Sequence, residues 1–505
     1  MVGGENRFLP PICPLAAAAA CAFYSLSASG LPLRALSAIA LLLTIVCGVF
    51  ATGDRLRSCA LAVAFGLAIG ANGSTRVGFA DLPPASLIAP GAVSGATVLL
   101  LNDPAPTRFG VYRVDARVLE FRDRGGARYG ASGRLSVTVP AALASSWLPG
   151  GIGAGEPLAL GRVVGFEGRL ALDSTGRSVF RAKAFDRSAS QRRRWASRLH
   201  ELRARLRLSF DRVLYDWGEA GGFLIALASA DRAFLSPSVS DAFLRSGLAH
   251  VLALSGTHLS VIALVFVFLG RAIGQRARAA NVALLGMVAF VAFAGPSPSL
   301  TRSLLMAALF FLMGRLSVRA RPFPILALAF CLQLALFPLD ARSLGFVLSY
   351  AALAGILLAG EWIDDLSRPY LGAGASSALS ASLSAQLATA PVTAGVFGSV
   401  SAIGAAATLV VAPLASVYLV AGFVSFAIAA VFPSLSPVVR VPMQILYGCI
   451  KASASFFAHW APLSIGGSLG TIAVAAVSAM AFAGLAFADR LARRWRNLDA
   501  QPARL

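Results

Sequence analysis

ASADRAFLSPSVSDAFLRSGLAHVLALSGTHLSVIALVFVF, residues 228–268, opens polar and closes as an apolar run. The run continues to Gly270, so 248–270 has the length and character of a helix that crosses a bilayer. Working outward, further apolar stretches follow at 279–295, 300–316, 322–338, 343–360, 376–397, 403–432, 441–460 and 467–488. Three more precede it, at 12–28, 35–51 and 58–74. The expectation is a polytopic α-helical membrane protein with about 12 spans. The first stretch has Arg7 ahead of it and Ser27 and Ser29 behind, as a cleaved leader would. Two spans follow at once, so a retained helix is expected.

Composition agrees. Hydrophobic residues make up 57% of the 505, charged residues 13%, and mean hydropathy is +0.74. A soluble domain carries about 25% charged residues. The charge present is basic, +21 net, and only two of the 44 basic residues are lysine, Lys183 and Lys451. Arginine in such excess has two readings: a GC-rich genome, or a polyanionic partner matched to guanidinium forks. Neither lysine sits in a Gly-Lys-Ser/Thr loop, so ATP-driven work falls to another chain. The six cysteines show no CxxC spacing and read as packing residues, and the four histidines are scattered; no metal or cofactor is expected.

Residues 75 to 212 depart from this pattern, with 22 basic against 11 acidic residues. Val114, Ala116 and Val118 alternate with Arg113, Asp115 and Arg117, as do Leu135, Val137 and Val139 with their neighbours, and 158–164 is a third strand candidate. Gly125-Gly126 and Gly150-Gly151 break the runs. A small all-β insert, a five-stranded barrel, is expected over 75–186. Residues 187–218 read as a basic amphipathic helix, with Leu199, Leu202, Leu206 and Phe210 at helical spacing among nine arginines, including Arg192, Arg193, Arg194, Arg198, Arg203 and Arg205. Its face suits a solvated or membrane-surface position, or contact with nucleic acid or phospholipid.

Short-loop arginines set the orientation. Arg55 and Arg57, Arg271, Arg276 and Arg278, Arg315, Arg319 and Arg321, and the basic tail 491–505 all fall on one side with twelve spans. That side is the cytoplasm, with both termini, and the β insert lies outside. The organisation expected is helices in 1–74, the β insert in 75–186, the basic helix in 187–218, a helical domain in 219–490 and the tail.

Within 228–268, Asp231, Arg232, Ser246, Gly247, Leu248, His250, Ala253, Ser255, Gly256 and His258 resemble the signature of the ComEC family. These are the inner-membrane channels for transforming DNA. SPSLTRSLLMA (297–307), with Arg302, resembles a second family segment; GFVLSYAALAGILL (345–358), with Ser349, a third; and SLSAQLATAPV (382–392), with Gln386, a fourth. The resemblance covers about 220–435. It implies a channel that is not an enzyme, passing single-stranded DNA through the inner membrane during natural transformation. It also implies an OB-like fold for the insert. The partners implied are a cytoplasmic DNA helicase motor, an extracytoplasmic DNA receptor and a separate nuclease. The Asn-Pro-Gly turn common in the family's insert is missing, and the insert has no cysteine. No His-x-His occurs, so a short form without the family's metallo-β-lactamase-like domain is expected.

On physical grounds, polar groups at the depth of Ser255 and His258 face a cavity or find partners. Asp231, Arg232 and His250, ahead of the span, would line an outer vestibule. For each of these, helix packing or capping is the plainer reading. An arginine inside a span costs about 2.5–3.5 kcal/mol on insertion scales, so Arg302 should face the path or an acidic partner. Gln386 would bridge helices or face the pore. Whether one chain or a homodimer makes the channel stays open. So do two rivals: a secondary transporter of another anionic solute, and an intramembrane serine hydrolase with Ser255 as nucleophile and His258 as base.

Overall fold

The computed structural model describes residues 90–484 apart from 145–160, 173–177, 187–194 and scattered short gaps. The expected spans at 12–28, 35–51 and 58–74, Arg192, Arg193 and Arg194, and the tail 491–505 lie outside the described residues.

The β insert is a closed barrel. Its strands are β1 (Val93–Leu100), β2 (Val111–Asp123), β3 (Arg134–Pro140), β4 (Val163–Leu172) and β5 (Ser178–Phe185). They pair in the ring β1–β2–β3–β5–β4–β1, antiparallel except for β3 with β5. Alternation dictates what fills it: Val98, Leu100, Val114, Ala116, Leu135, Val137, Val139, Phe166 and Phe180 are all buried, and their sequence neighbours point out. Of the strand expected at 158–164, residues 158–160 lie outside the described residues, and the strand found is Val163–Leu172. Glycines hid its period. At Gly168 an added Cβ would stand 2.0 Å from the Arg181 carbonyl oxygen, and the register with β5 shifts between Glu167 and Gly168.

After the barrel come helices α1 (Trp195–Tyr215), α2 (Glu219–Ser229), α3 (Pro237–Arg245), α4 (Gly256–Ile273), α5 (Arg276–Ala294), α6 (Pro298–Arg315) and α7 (Pro322–Leu336). Then follow α8 (Leu344–Phe397), α9 (Gly404–Val431), α10 (Ser436–Phe457) and α11 (Leu469–Ala481). The 54 residues of α8 are two helices merged across a kink at Gly372, whose φ of 73° and ψ of 167° are non-helical. The halves fold back on each other where Gly355 meets Ala388 and Ser384, which is why 343–360 and 376–397 read as separate spans.

Helix α2 was not among the expected spans, because 11 residues are too few to cross a bilayer. It is the hub of the largest core. Phe223, Leu224 and Leu227 are fully buried among Trp217, Phe243, Tyr418 and Ile450. Gly221 and Gly222 let the Leu214 and Phe234 carbonyls approach, and the Tyr418 hydroxyl donates to the Ala220 carbonyl at 2.5 Å.

Among the described residues two helices, α8 and α9, are long and apolar enough to cross a membrane. The exposed faces elsewhere are apolar too: Leu264, Phe268, Leu285, Ile445, Leu469 and Ile472 all point outward. Such surface suits lipid rather than water, and the chain is a helical membrane protein with a β insert.

The basic helix departs from its expected facing. Phe210 and Leu214 are buried, but Leu202 and Leu206 are exposed while Arg203 and Arg207 turn inward. Arg203 holds the end of α5: its Nε donates to the Phe293 carbonyl at 3.1 Å and Nη2 to the Ala294 carbonyl at 3.2 Å. A cation there satisfies the last carbonyls and the negative end of the helix dipole. Gly295, at φ 98°, leaves space that a Cβ would take from the Arg203 guanidinium. Arg203 is therefore held at a helix end, which sets it apart from the exposed Arg205 of the DNA-gathering set.

Candidate functional site

Helix α4 begins at Gly256, eight residues after the expected span start at Leu248. The chain first turns at Gly247, with φ 78°, and again before Ser255. Ser255 stands at the N-cap and His258 three residues in. The Ser255 amide donates to His258 Nδ1 at 3.1 Å, the reach-back half of a capping box with histidine in place of glutamate. An Nδ1 that accepts from an amide is unprotonated, so the proton sits on Nε2.

The Ser255 hydroxyl also lies 3.1 Å from that Nδ1, closer than the sequence spacing required, and touches the Thr257 hydroxyl. A nucleophile–base contact is thus present in outline. But one lone pair on Nδ1 serves both the amide and the hydroxyl, and among the described residues no hydrogen bond orients the ring from Nε2. The arrangement performs as a cap.

Helix α6 lies against this turn. A Cβ on Gly256 would stand 2.6 Å from Ser303 Oγ and 3.0 Å from Arg302 Nη2, so glycine is what lets the two helices meet. Arg302 is 9% exposed. It donates to the Ser349 carbonyl of α8 and to Ser303 Oγ at 3.4 Å, and lies over the Tyr350 ring at 5.9 Å. Among the described residues no carboxylate contacts it, and Nε is buried without a hydrogen-bond partner. The acidic partner that its depth suggested is replaced by carbonyl, hydroxyl and aromatic face.

Ser299 and Gln333, neither of them expected at the site, brace this point. Ser349 Oγ donates to Ser299 Oγ at 3.0 Å. Gln333, fully buried in α7, donates to the Pro298 carbonyl at 3.0 Å and to Asp340 at 2.8 Å, and accepts from the Tyr350 hydroxyl at 3.0 Å. A glutamine amid CLQLALF was the available signal, since a polar residue inside an apolar run needs partners.

A second junction forms around Gly247. Gln386 donates to the Ser401 carbonyl and sits 3.2 Å from where a Cβ on Gly404 would be, and a Cβ on Gly247 would stand 2.8 Å from Ser401. His250 hydrogen-bonds the Gly247 carbonyl through Nδ1 at 3.1 Å; a carbonyl only accepts, so this nitrogen carries the proton. The turn 247–258 thus joins α6, α8 and α9, bringing Ser255, Gly256, His258, Arg302 and Ser349 to one node, and His250 and Gln386 to a second.

Asp231 and Arg232 follow the left-handed Ala230 at the end of α2. Asp231 interacts with the barrel instead of either node. Burial lifts the Tyr112 phenol of β2 above its ordinary value, and the Asp231 carboxylate adds to the rise. Arg232 is exposed. Arg198 lies on α1, Arg205 is exposed there, and Arg192, Arg193 and Arg194 are outside the described residues.

Comparison with known proteins fits this geometry. The family model described as Competence protein matches residues 227–490, which hold both nodes. ComE operon protein 3 of Bacillus subtilis (strain 168) is 26% identical over 141 residues, 28% of this chain and 18% of that protein. An uncharacterized protein of Aquifex aeolicus (strain VF5) is 29% identical over 229 residues, 45% of this chain and 52% of its own length. The matched segment is thus about half of one relative and under a fifth of the other. No solved structure matches the chain. With both junctions inside the matched region, and that region just over half of the sequence, the chain belongs to the competence protein family.

Proposed function

We propose that this protein is an inner-membrane channel for DNA uptake, passing single-stranded DNA to the cytoplasm during natural transformation. The observation that carries the reading is Arg302: a buried cation at the meeting point of α4, α6 and α8, inside the family's matched region, with an N–H left over. A phosphodiester passing this point meets one fixed positive charge set among hydroxyls and carbonyls. That favours the anion without holding it.

In this reading the chain crosses the bilayer twelve times, with both termini cytoplasmic and the barrel outside. The ring order of the strands and the single parallel pair support taking the barrel as OB-type, a fold that binds oligonucleotides elsewhere. The barrel, together with Arg192, Arg193, Arg194, Arg198 and Arg205, would gather DNA from an outer receptor. Moving each negative charge inward against an interior-negative potential costs about 2.3 kcal/mol per 100 mV. Summed over many nucleotides, this demands a motor, and a cytoplasmic helicase would supply it, with a separate nuclease removing the other strand.

Deleting the gene and complementing it with wild type, His258→Ala or Arg302→Ala tests the reading. The expected result is loss of transformation with DNA still reaching the periplasm, restored by wild type and not by Arg302→Ala. Normal transformation in the deletion strain overturns it and turns attention to transport of another anionic solute.

A further inference from the structure

The barrel's register aligns charges that the sequence scatters. Arg113 on β2 is paired with Thr138 on β3, Thr138 with Arg181 on β5, and Arg181 with Arg169 on β4. These four residues form one row across four adjacent strands. Paired residues share a face, and here it is the outer one: Arg113, Arg181 and Arg169 are exposed, while Val114, Val137 and Phe180 beside them are buried. Strands lie about 4.8 Å apart, so the row spans about 14 Å around the barrel. Lys183, two residues beyond Arg181, is exposed on the same face.

Among the described residues no carboxylate pairs with the row. Glu167 and Asp186 both engage Arg122, at 3.0 and 2.9 Å, and Asp115 engages Arg134 at 3.5 Å. Within the row Arg113 Nε donates to Ser136 Oγ at 2.8 Å and Thr138 Oγ1 to the Phe180 carbonyl at 3.4 Å, and both partners are neutral. Arg169 and Arg181 stand directly opposite each other, a pairing of like charges that weakens a sheet. A bound polyanion removes that repulsion.

Resting on the reading that this chain handles DNA, we propose that the Arg113–Thr138–Arg181–Arg169 row is a phosphate track. It would hold a phosphodiester backbone across β2, β3, β5 and β4 by charge alone. Val139 and Ala182, neighbours of the row, point into the barrel, and no aromatic side chain belongs to the row itself. Bases therefore find no stacking platform along it, and the track takes duplex as well as single-stranded DNA.

The test uses the full chain in nanodiscs, with a labelled single-stranded 30-mer and its duplex, titrated with salt and read by anisotropy. Each phosphate contact removed lowers the slope of log K against log salt by about 0.7 to 0.9, so R169A/R181A should flatten it by about 1.5 for both probes. R124A, which removes one charge from the same barrel off the row, should leave the slope unchanged; an equal fall per charge would show bulk charge only and overturn the track. R181K should keep the slope. R181A should melt no lower than wild type, since it relieves like charges, and a lower melting temperature would mark the row as structural. Loss of transformation on gene deletion with an unchanged R169A/R181A slope removes the track and leaves the uptake reading standing. A flattened slope with normal transformation does the reverse.

Discussion

Arginine does opposite work in the two halves of this molecule. On the barrel it stands exposed, in register, with some residues paired to carboxylates and others facing only each other. In the helical domain Arg302 and Arg203 are each buried and each bound to main-chain carbonyls. A charge in water is free to meet a visiting anion and adds little to stability. A charge under lipid has already been fitted to its surroundings, so its position is fixed and its loss reshapes a junction. In the proposed reading, collection and discrimination of an anion would therefore sit on separate parts of the chain.

The sharpest way to break that contrast is Arg302→Met. An arginine under lipid without a carboxylate partner costs about 2.5–3.5 kcal/mol on insertion scales, a cost that an apolar side chain of similar length removes. The expected outcome is a protein that melts as high as wild type, or higher, and does not support transformation. Retained transformation would show Arg302 to be packing only.

Gly355→Leu should come next. A Cβ there already falls 2.5 Å from Ala388, and overpacking of this kind costs about 1–3 kcal/mol, so thermal unfolding in detergent should start measurably lower. Arg203→Ala should destabilise to a similar or smaller degree, about 1.5–3 kcal/mol for charged hydrogen bonds lost, without changing the salt dependence of DNA binding. A changed salt slope would return Arg203 to the collecting set.

The smallest effect separates cap from catalyst. His258→Gln keeps a side chain that can reach back to the Ser255 amide, and should leave transformation near wild type. His258→Ala should cost about 1 kcal/mol of helix stability. A fluorophosphonate label on Ser255 that disappears in His258→Gln would instead reveal a working nucleophile and base.

Much of the helical domain was legible. Eight of the apolar stretches coincide with α4 to α10, two of them in the kinked α8, because lipid-facing segments must be apolar over their whole length. The motifs around Ser255, Arg302, Ser349 and Gln386 could be picked out too. What stayed hidden was tertiary. Helix α2 is short and buried, so neither length nor periodicity announced it. The capping role of His258 depends on a ring reaching back along one turn, and glutamate or glutamine is the usual sign of that. Leu202, Leu206 and Arg203 repeat with a helical period in either orientation, and only the end of α5 decides which face turns inward. The row on the barrel depends on register, which single-strand patterns do not contain.

The parallel pairing of β3 with β5 also sets an order of assembly. As the chain lengthens, β1, β2 and β3 can zip up as neighbours, but they leave two open edges. The strand that covers β3 ends at Phe185, and the one that covers β1 ends at Leu172. Loop-closure entropy makes such distant pairings the slow ones. A fragment stopped near residue 145 would therefore carry a sticky half-sheet, whereas one stopped just past 186 closes on itself before any of α1–α11 has been made.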